Sequence, residues 1–251
     1  MELEKIECLH DLSHNVALCL FGHARTFNKN APRHLKLASA LNCNIYGHTW
    51  AVQDVADSWH SINSGSHTAV REDTLSAVYK GAGIFSIEEQ NEELNRVRYI
   101  DSSGRVGIVG HQFHMWQSIL TAGEMALRNG NADYLLFTRY DINISVPDVL
   151  KLPVKIDAWN SIARHVPDQS EPVIECYDLF FVVNREVFLK LLKFRDFDTF
   201  KGLISDYYLL DELANMGVST NFDYGLFDSI KIRRPVSGYF NKIFRKIFSN
   251  D

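Results

Sequence analysis

The chain has 251 residues and a mass of 28.7 kDa, which suits one large domain or two small ones. A hydrophobic share of 46% and a charged share of 23% are typical of a globular protein with a filled core. The formal net charge of -5 disfavours a general nucleic-acid-binding function, and no apolar run reaches the length of about 18 residues that predicts a transmembrane helix.

The N-terminus and the cysteines predict a cytoplasmic protein. Residues 1–15 are acidic and polar, unlike a signal peptide. The cysteines are scattered and form no Cys-x-x-Cys pair; they are Cys8, Cys19, Cys43 and Cys176. We therefore expect reduced, buried thiols and a cytoplasmic location.

The first elements predict a strand–helix–strand unit. Residues 16–21 (VALCLF) form a continuous apolar run that ends at Gly22, as in a buried parallel strand followed by a turn. A helix is expected over 32–41 and a second strand over 44–50. This order is typical of an α/β protein.

Residues 51–110 are polar and rich in glycine. We expect mostly irregular structure here, with short strands near 82–86 and 96–100. Because functional loops often have this character, we also expect the segment to become ordered when a ligand binds.

The remaining elements continue the alternation. They are a helix over 111–128, strands over 134–138 and 179–183, and helices over 185–194 and 206–216. No internal repeat or linker interrupts them. We predict a single Rossmann-like α/β domain over residues 1–238, with a mostly parallel central sheet flanked by helices.

Polar clusters follow three of the predicted strands. They are Gly22-His23-Ala24-Arg25-Thr26, His48-Thr49-Trp50 and Arg139-Tyr140-Asp141-Ile142-Asn143. In an open α/β sheet, ligands bind beyond the carboxyl ends of the strands. If the three strands are parallel neighbours, the clusters converge on one crevice.

The residue types in this crevice suit a nucleoside diphosphate with a metal. Gly22 lets a ligand approach the backbone, and Arg25 and Arg139 offer planar forks for a diphosphate. Asp141 is a hard oxygen ligand for Mg²⁺ or Mn²⁺, and Asn143 is a neutral second ligand.

With these motifs in place, the chain resembles the GT-A-type glycosyltransferases of bacterial, and some viral, surface-polysaccharide (capsule, O-antigen or LPS) biosynthesis. The similar segments, in the family's order, are VALCLFGHARTF, IYGHTW, FHMWQSILTAGEMA with ADYLLFTRYDINI, and CYDLFFVVNREVF. They cover roughly half of the chain. Each motif is weak alone, and their order is the stronger part of the signal.

The resemblance implies transfer of a sugar from a nucleotide-sugar donor to a glycan or lipid-linked glycan acceptor. It assigns donor binding to nine residues. They are Gly22, His23, Arg25, Thr26, His48, Trp50, Gln117, Arg139 and Asp141. In an inverting enzyme a carboxylate must deprotonate the acceptor hydroxyl. Asp178, just before a strand, is the first choice, and Asp211 or Glu212 is the second.

The metal site departs from the family pattern of Asp-x-Asp. Here Asn143 stands at the second carboxylate position, and Arg139 precedes Asp141. A single carboxylate binds Mn²⁺ or Mg²⁺ more weakly than two do. The alternative is that the arginines neutralise the leaving diphosphate instead.

Structural interpretations stand beside these assignments. Arg139 and Asp141 also suit an ion pair at a strand end, His48 suits a core residue, and Asp178 suits a loop cap. Two other functions use the same crevice: a nucleotidyltransferase or phosphohydrolase, and a non-catalytic nucleotide- or carbohydrate-binding module. The sequence has neither a Walker motif nor a zinc motif of the His-Glu-x-x-His kind.

The C-terminal tail, residues 239–251, includes a basic amphipathic pattern. At about 100° per residue, the apolar side chains of 239–248 share one face and the basic ones share the other. Such a helix lies on an anionic membrane surface, which predicts a peripheral position at the inner membrane face. The alternative is a terminal helix docked on the domain.

Overall fold

The computed structural model describes residues 6–24, 26–51, 69–94, 97–100, 106–166, 173–175, 178–200 and 206–232. The strands, in chain order, are β1 (Ile6–Cys8), β2 (Val16–Phe21), β3 (Ile45–Trp50), β4 (Gly83–Glu88), β5 (Arg98–Ile100), β6 (Val106–Ile108), β7 (Tyr134–Arg139), β8 (Ile142–Ile144), β9 (Pro153–Lys155), β10 (Ala158–Ile162), β11 (Arg164–Val166), β12 (Val173–Glu175), β13 (Phe180–Asn184), β14 (Ser219–Asp223) and β15 (Ile230–Ile232).

The α-helices are α1 (Phe27–Ala40), α2 (Glu72–Val78), α3 (Val109–Asn129), α4 (Val146–Val149), α5 (Arg185–Leu191), α6 (Phe197–Phe200) and α7 (Asp206–Asn215). Short 3-10 turns span Leu9–Leu12, Leu192–Arg195 and Phe227–Ser229. None of the helices in the described ranges combines the length and hydropathy needed to cross a bilayer.

A seven-stranded sheet in the order β14-β10-β13-β7-β2-β3-β4 forms the centre of the molecule. β7, β2, β3 and β4 are parallel neighbours, and β10 is parallel to β14. β13 runs antiparallel to both β7 and β10. The prediction of an α/β protein with a mostly parallel sheet is therefore confirmed. The three strands that are followed by polar clusters, β2, β3 and β7, are also adjacent and parallel, as expected.

Both faces of the sheet are covered by apolar side chains. On one face Leu18, Leu20 and Leu136 belong to the cluster that includes α1. On the other face Phe21 and Phe137 belong to the cluster that includes α3 and α5. Continuous apolar runs such as VALCLF form these strands because a parallel sheet buries both faces.

Several predicted boundaries are corrected. The helix predicted over 32–41 begins at Phe27, and Pro32 lies inside it, because the buried Phe27 and Ala31 continue the apolar face toward the N-terminus. The helix predicted over 185–194 is α-helical to Leu191 and then tightens into the 3-10 turn.

Other predictions need correction or lie outside the described residues. The segment expected to be mostly irregular contains α2, because Leu75 packs in the core together with Tyr79 one turn later. Residues 52–68, 95–96 and 101–105 of the segment expected to become ordered lie outside the described residues, and so does the tail over 239–251. The cysteine expectation holds in part: the described thiols are free, with Cys19 buried and Cys8 exposed.

Gly47 in β3 tests how tightly the sheet packs beneath its carboxyl edge. A Cβ at this position would lie 2.6 Å from Cδ1 of Phe85 and would also collide with the Tyr140 hydroxyl. Both side chains are buried, so we expect Gly47→Ala to lower the free energy of unfolding by about 1–3 kcal/mol in urea titrations. Gly225→Ala is the control, because its Cβ would meet only Asp223 Oδ1, at 3.5 Å. Equal stability of the two variants would contradict the packing argument.

Candidate functional site

The carboxyl ends of β2 and β7 place two predicted site residues next to each other. Phe21 pairs with Arg139 across these parallel strands, so the Gly22 turn follows directly beside Arg139. β13 runs in the opposite direction and pairs Phe180 with Thr138. Asp178, two residues before Phe180, therefore lies at the same edge. We call Gly22, Arg139, Asp141 and Asp178 the strand-end site.

Arg139 and Asp141 form a two-pronged ion pair at this edge. Arg139 Nε donates to Asp141 Oδ1 at 2.9 Å, and Arg139 Nη2 donates to Oδ2 at 2.7 Å. The Asp141 side chain is 1% exposed and that of Arg139 is 22% exposed. The pair thus fixes the guanidinium plane while part of the arginine still reaches the surface.

Helix α1 holds the short link between β7 and β8. Asn30 is fully buried, and its Nδ2 donates to the carbonyl of Tyr140 at 3.0 Å. His34, one turn later, has Nδ1 at 2.9 Å from the Tyr79 hydroxyl. Burial lowers the pKa of His34 to about 4, although the Ile142 backbone and the Asp141 carboxylate favour its charged form. A buried polar layer therefore supports the strand-end site from below.

The Gly22 turn is open on the side where a side chain would project. Its φ is +85°, and a Cβ built there would meet no heavy atom of the described residues within 4 Å. The Gly22 N–H donates to Ser118 Oγ at 2.7 Å, and the Ala24 N–H donates to Thr49 Oγ1 at 2.9 Å. The turn is thus anchored on one side and accessible on the other, as a backbone that receives a ligand must be.

His48 belongs to the wall behind this turn. It is buried, with Nδ1 at 2.8 Å from Ser118 Oγ and Nε2 at 3.6 Å from Glu88 Oε2. Burial lowers the pKa of His48 to about 3, and the charge of Arg195 acts in the same direction. Trp50 makes edge contacts with the rings of His48 and His114, at 4.8 and 5.0 Å between centroids. These are contacts within the protein framework.

The other predicted donor residues near this edge have different surroundings. His23 Nε2 lies 3.3 Å from Gln90 Nε2, in the loop that follows β4. Thr26 precedes α1 with a left-handed φ of 49°, and its Oγ1 lies 3.4 Å from Asn30 Nδ2. Arg25 lies outside the described residues.

Three predicted site residues lie away from the strand-end site. Gln117 binds the turn after α5, because its Nε2 donates to the carbonyls of Phe194 and Arg195 at 3.2 and 3.3 Å. Asp211 and Glu212 lie in the second half of α7, which leads to the amino end of β14 at the opposite edge of the sheet. Glu212 pairs with Lys193, and this interaction lowers the pKa of its carboxyl.

The residues assigned to a metal do not fit one in this arrangement. Both oxygens of Asp141 accept hydrogen bonds from Arg139 and the side chain is 1% exposed, so a cation would have to compete with the guanidinium for a buried carboxylate. The Asn143 amide oxygen is buried and accepts no hydrogen bond from the described residues, but it is a single neutral ligand. Across the described ranges, no three His, Cys, Asp or Glu side chains are grouped to hold a metal.

Two supporting residues were not predicted from the sequence. Ser118 joins three parts of the site, because it accepts from Gly22 N–H, contacts His48 Nδ1 and donates to the His48 carbonyl at 3.1 Å. Asn30 in α1 is the second supporting residue, because it binds the carbonyl of Tyr140 in the link between β7 and β8. The signal for Ser118 was the polar pair of His114 and Ser118, four residues apart on a helix face that is otherwise apolar.

In the comparisons with known proteins, no protein-family model and no curated protein matches the chain.

Proposed function

We propose that the chain is a GT-A-like glycosyltransferase that moves a sugar from a nucleotide-sugar donor to a glycan or lipid-linked glycan acceptor. The observation that carries the proposal is the convergence of Gly22, Arg139 and Asp178 at one edge of the sheet. Ligands of open α/β sheets bind at this edge. The mostly parallel sheet and the four segments that resemble the family support the same class.

Arg139 and the Gly22 turn would bind the donor. When the bond to the sugar breaks, negative charge accumulates on the leaving diphosphate and must meet fixed positive charge. Arg139 supplies such a charge with its plane held by Asp141, so little reorganisation is needed. The open face of Gly22 leaves room for the diphosphate beside the backbone.

Asp178 would act on the acceptor in an inverting transfer. A carboxylate near the sugar carbon accepts the proton of the acceptor hydroxyl as that oxygen attacks. Asp178 is partly buried and lies at the amino end of β13, next to the carboxyl end of β7. Asp211 and Glu212 lie toward the other edge, so Asp178 is the carboxylate that the geometry favours.

A donor screen tests the proposal. Thermal unfolding would be followed with UDP, GDP, CMP and dTDP sugars, and a matching donor raises stability by about 2.7 kcal/mol at a hundredfold excess over Kd. The double variant Arg139→Met/Asp141→Leu removes the charges but not the bulk, and we expect it to lose the shift. The exposed pair Arg71–Asp73 has the same spacing and geometry, so Arg71→Met/Asp73→Leu is the control that keeps the shift.

The reaction products separate the alternatives. A glycosyltransferase yields a glycosylated acceptor, and Asp178→Asn is expected to lose turnover while keeping donor binding. A phosphohydrolase releases sugar or phosphate at a rate that acceptors do not raise. A binding module shows the shift but no turnover. No shift with any donor would contradict the proposal.

A further inference from the structure

We propose that the strand-end site binds the donor diphosphate without a divalent cation, because Arg139 takes the place that a metal would have. This inference rests on the proposed function. Its basis is the disagreement between the ligand set expected for a GT-A metal and the contacts that these side chains make.

Asp141 is the single carboxylate in the expected metal position. Its side chain is 1% exposed, and each of its oxygens already accepts a charged hydrogen bond. A carboxylate in this state has no oxygen turned to solvent through which a hydrated cation would first bind. Metal binding therefore requires the ion pair to open.

Opening the ion pair to admit a cation would place two positive charges side by side. Arg139 is mostly buried, with 22% of its side chain exposed, and it forms an ion pair with Asp141. A divalent cation bound to Asp141 would stand next to this guanidinium, and two like charges at that distance repel. The remaining expected ligand, Asn143, carries no charge to offset the repulsion.

The closed ion pair presents Arg139 in a form that suits a phosphate. Asp141 holds the guanidinium through Nε and Nη2, and 22% of the Arg139 side chain still reaches the surface. Asp141 fixes the plane of the fork, which is the condition for two-pronged binding of a phosphate. Arg139 pairs with Phe21 across the two strands, so it lies beside the Gly22 turn, where the diphosphate is proposed to bind.

Binding measurements with and without metal test the inference. UDP, GDP, CDP and dTDP would each be titrated into the full-length protein by calorimetry, once in EDTA and once with Mn²⁺ or Mg²⁺. We expect one of them to bind with Kd values that agree within about twofold in both buffers. Arg139→Lys keeps the charge but loses the fork, so we expect binding about tenfold weaker in both buffers. Arg71→Lys at the exposed pair should leave Kd unchanged.

A titration with Mn²⁺ alone adds a measurement that needs no donor. We expect that the protein has no stoichiometric Mn²⁺ site that depends on Asp141, so Asp141→Asn should leave the titration unchanged. Binding of a nucleoside diphosphate that requires the metal, or Mn²⁺ binding that Asp141→Asn abolishes, would overturn this inference and leave the proposed function in place. Failure of all four nucleoside diphosphates in both buffers would overturn the proposed function as well.

Discussion

Replacing Asp141 with alanine is expected to lower the free energy of unfolding by about 3–5 kcal/mol, measured by urea titration at pH 7.5. The reason is the charge left behind. Arg139 is mostly buried and donates two charged hydrogen bonds to Asp141. Without the carboxylate, the guanidinium keeps its desolvation cost and loses both of these charged hydrogen bonds, so the loss exceeds what an exposed ion pair contributes.

A double-mutant cycle separates this effect from simple loss of side-chain volume. Arg139→Met and Asp141→Leu are each expected to destabilise the fold, whereas the combined variant should recover much of the loss because no charge remains unpaired. Asp73→Ala breaks an exposed pair of the same geometry, at 73% and 64% exposure, and should cost at most about 1 kcal/mol. Additive effects at positions 139 and 141 would show that the two side chains are not coupled.

The strands that form the strand-end site were predictable because each is a continuous apolar run. Residues 16–21 are apolar throughout and residues 135–137 continue this pattern, as expected for strands of a sheet that is buried on both sides. Their polar ends then had to meet, since carboxyl ends of parallel neighbours share one edge. The apolar runs and their polar ends predicted the register and direction of the strands only in part. The antiparallel course of β13, which brings Asp178 to the site, has no sequence signature.

The supporting residues were not predictable for a different reason. Ser118 and Asn30 are short polar side chains on helices, and their partners lie 96 and 110 residues away in the chain. In the hydrophobic pattern of a helix, such residues are visible only as polar positions on an apolar face. The same limit explains Asp211 and Glu212, whose helix was predicted correctly but whose place at the opposite edge depends on the pairing of β14 with β10.

Two buried histidines make the fold sensitive to acid. Burial lowers the pKa of His34 to about 4 and that of His48 to about 3, whereas an imidazole in the unfolded chain titrates near about 6.5. Below pH 6.5 these two imidazoles therefore bind protons in the unfolded chain but stay neutral in the folded chain. The stability is fully present above the unfolded pKa and is lost as the pH falls toward the folded values.

The expected result is a fall in the free energy of unfolding of about 4 kcal/mol between pH 7.5 and pH 5, from about 2 kcal/mol for each histidine. Urea titrations at pH 7.5, 6.5, 5.5 and 5.0 measure it. His34→Gln and His48→Gln lower stability at every pH, but each should also reduce the slope by about half, because one desolvated imidazole is gone. His10→Gln is the control, since His10 is exposed and folding does not remove it from water. A slope that neither buried variant changes would assign the acid sensitivity to other groups and contradict the desolvation of His34 and His48.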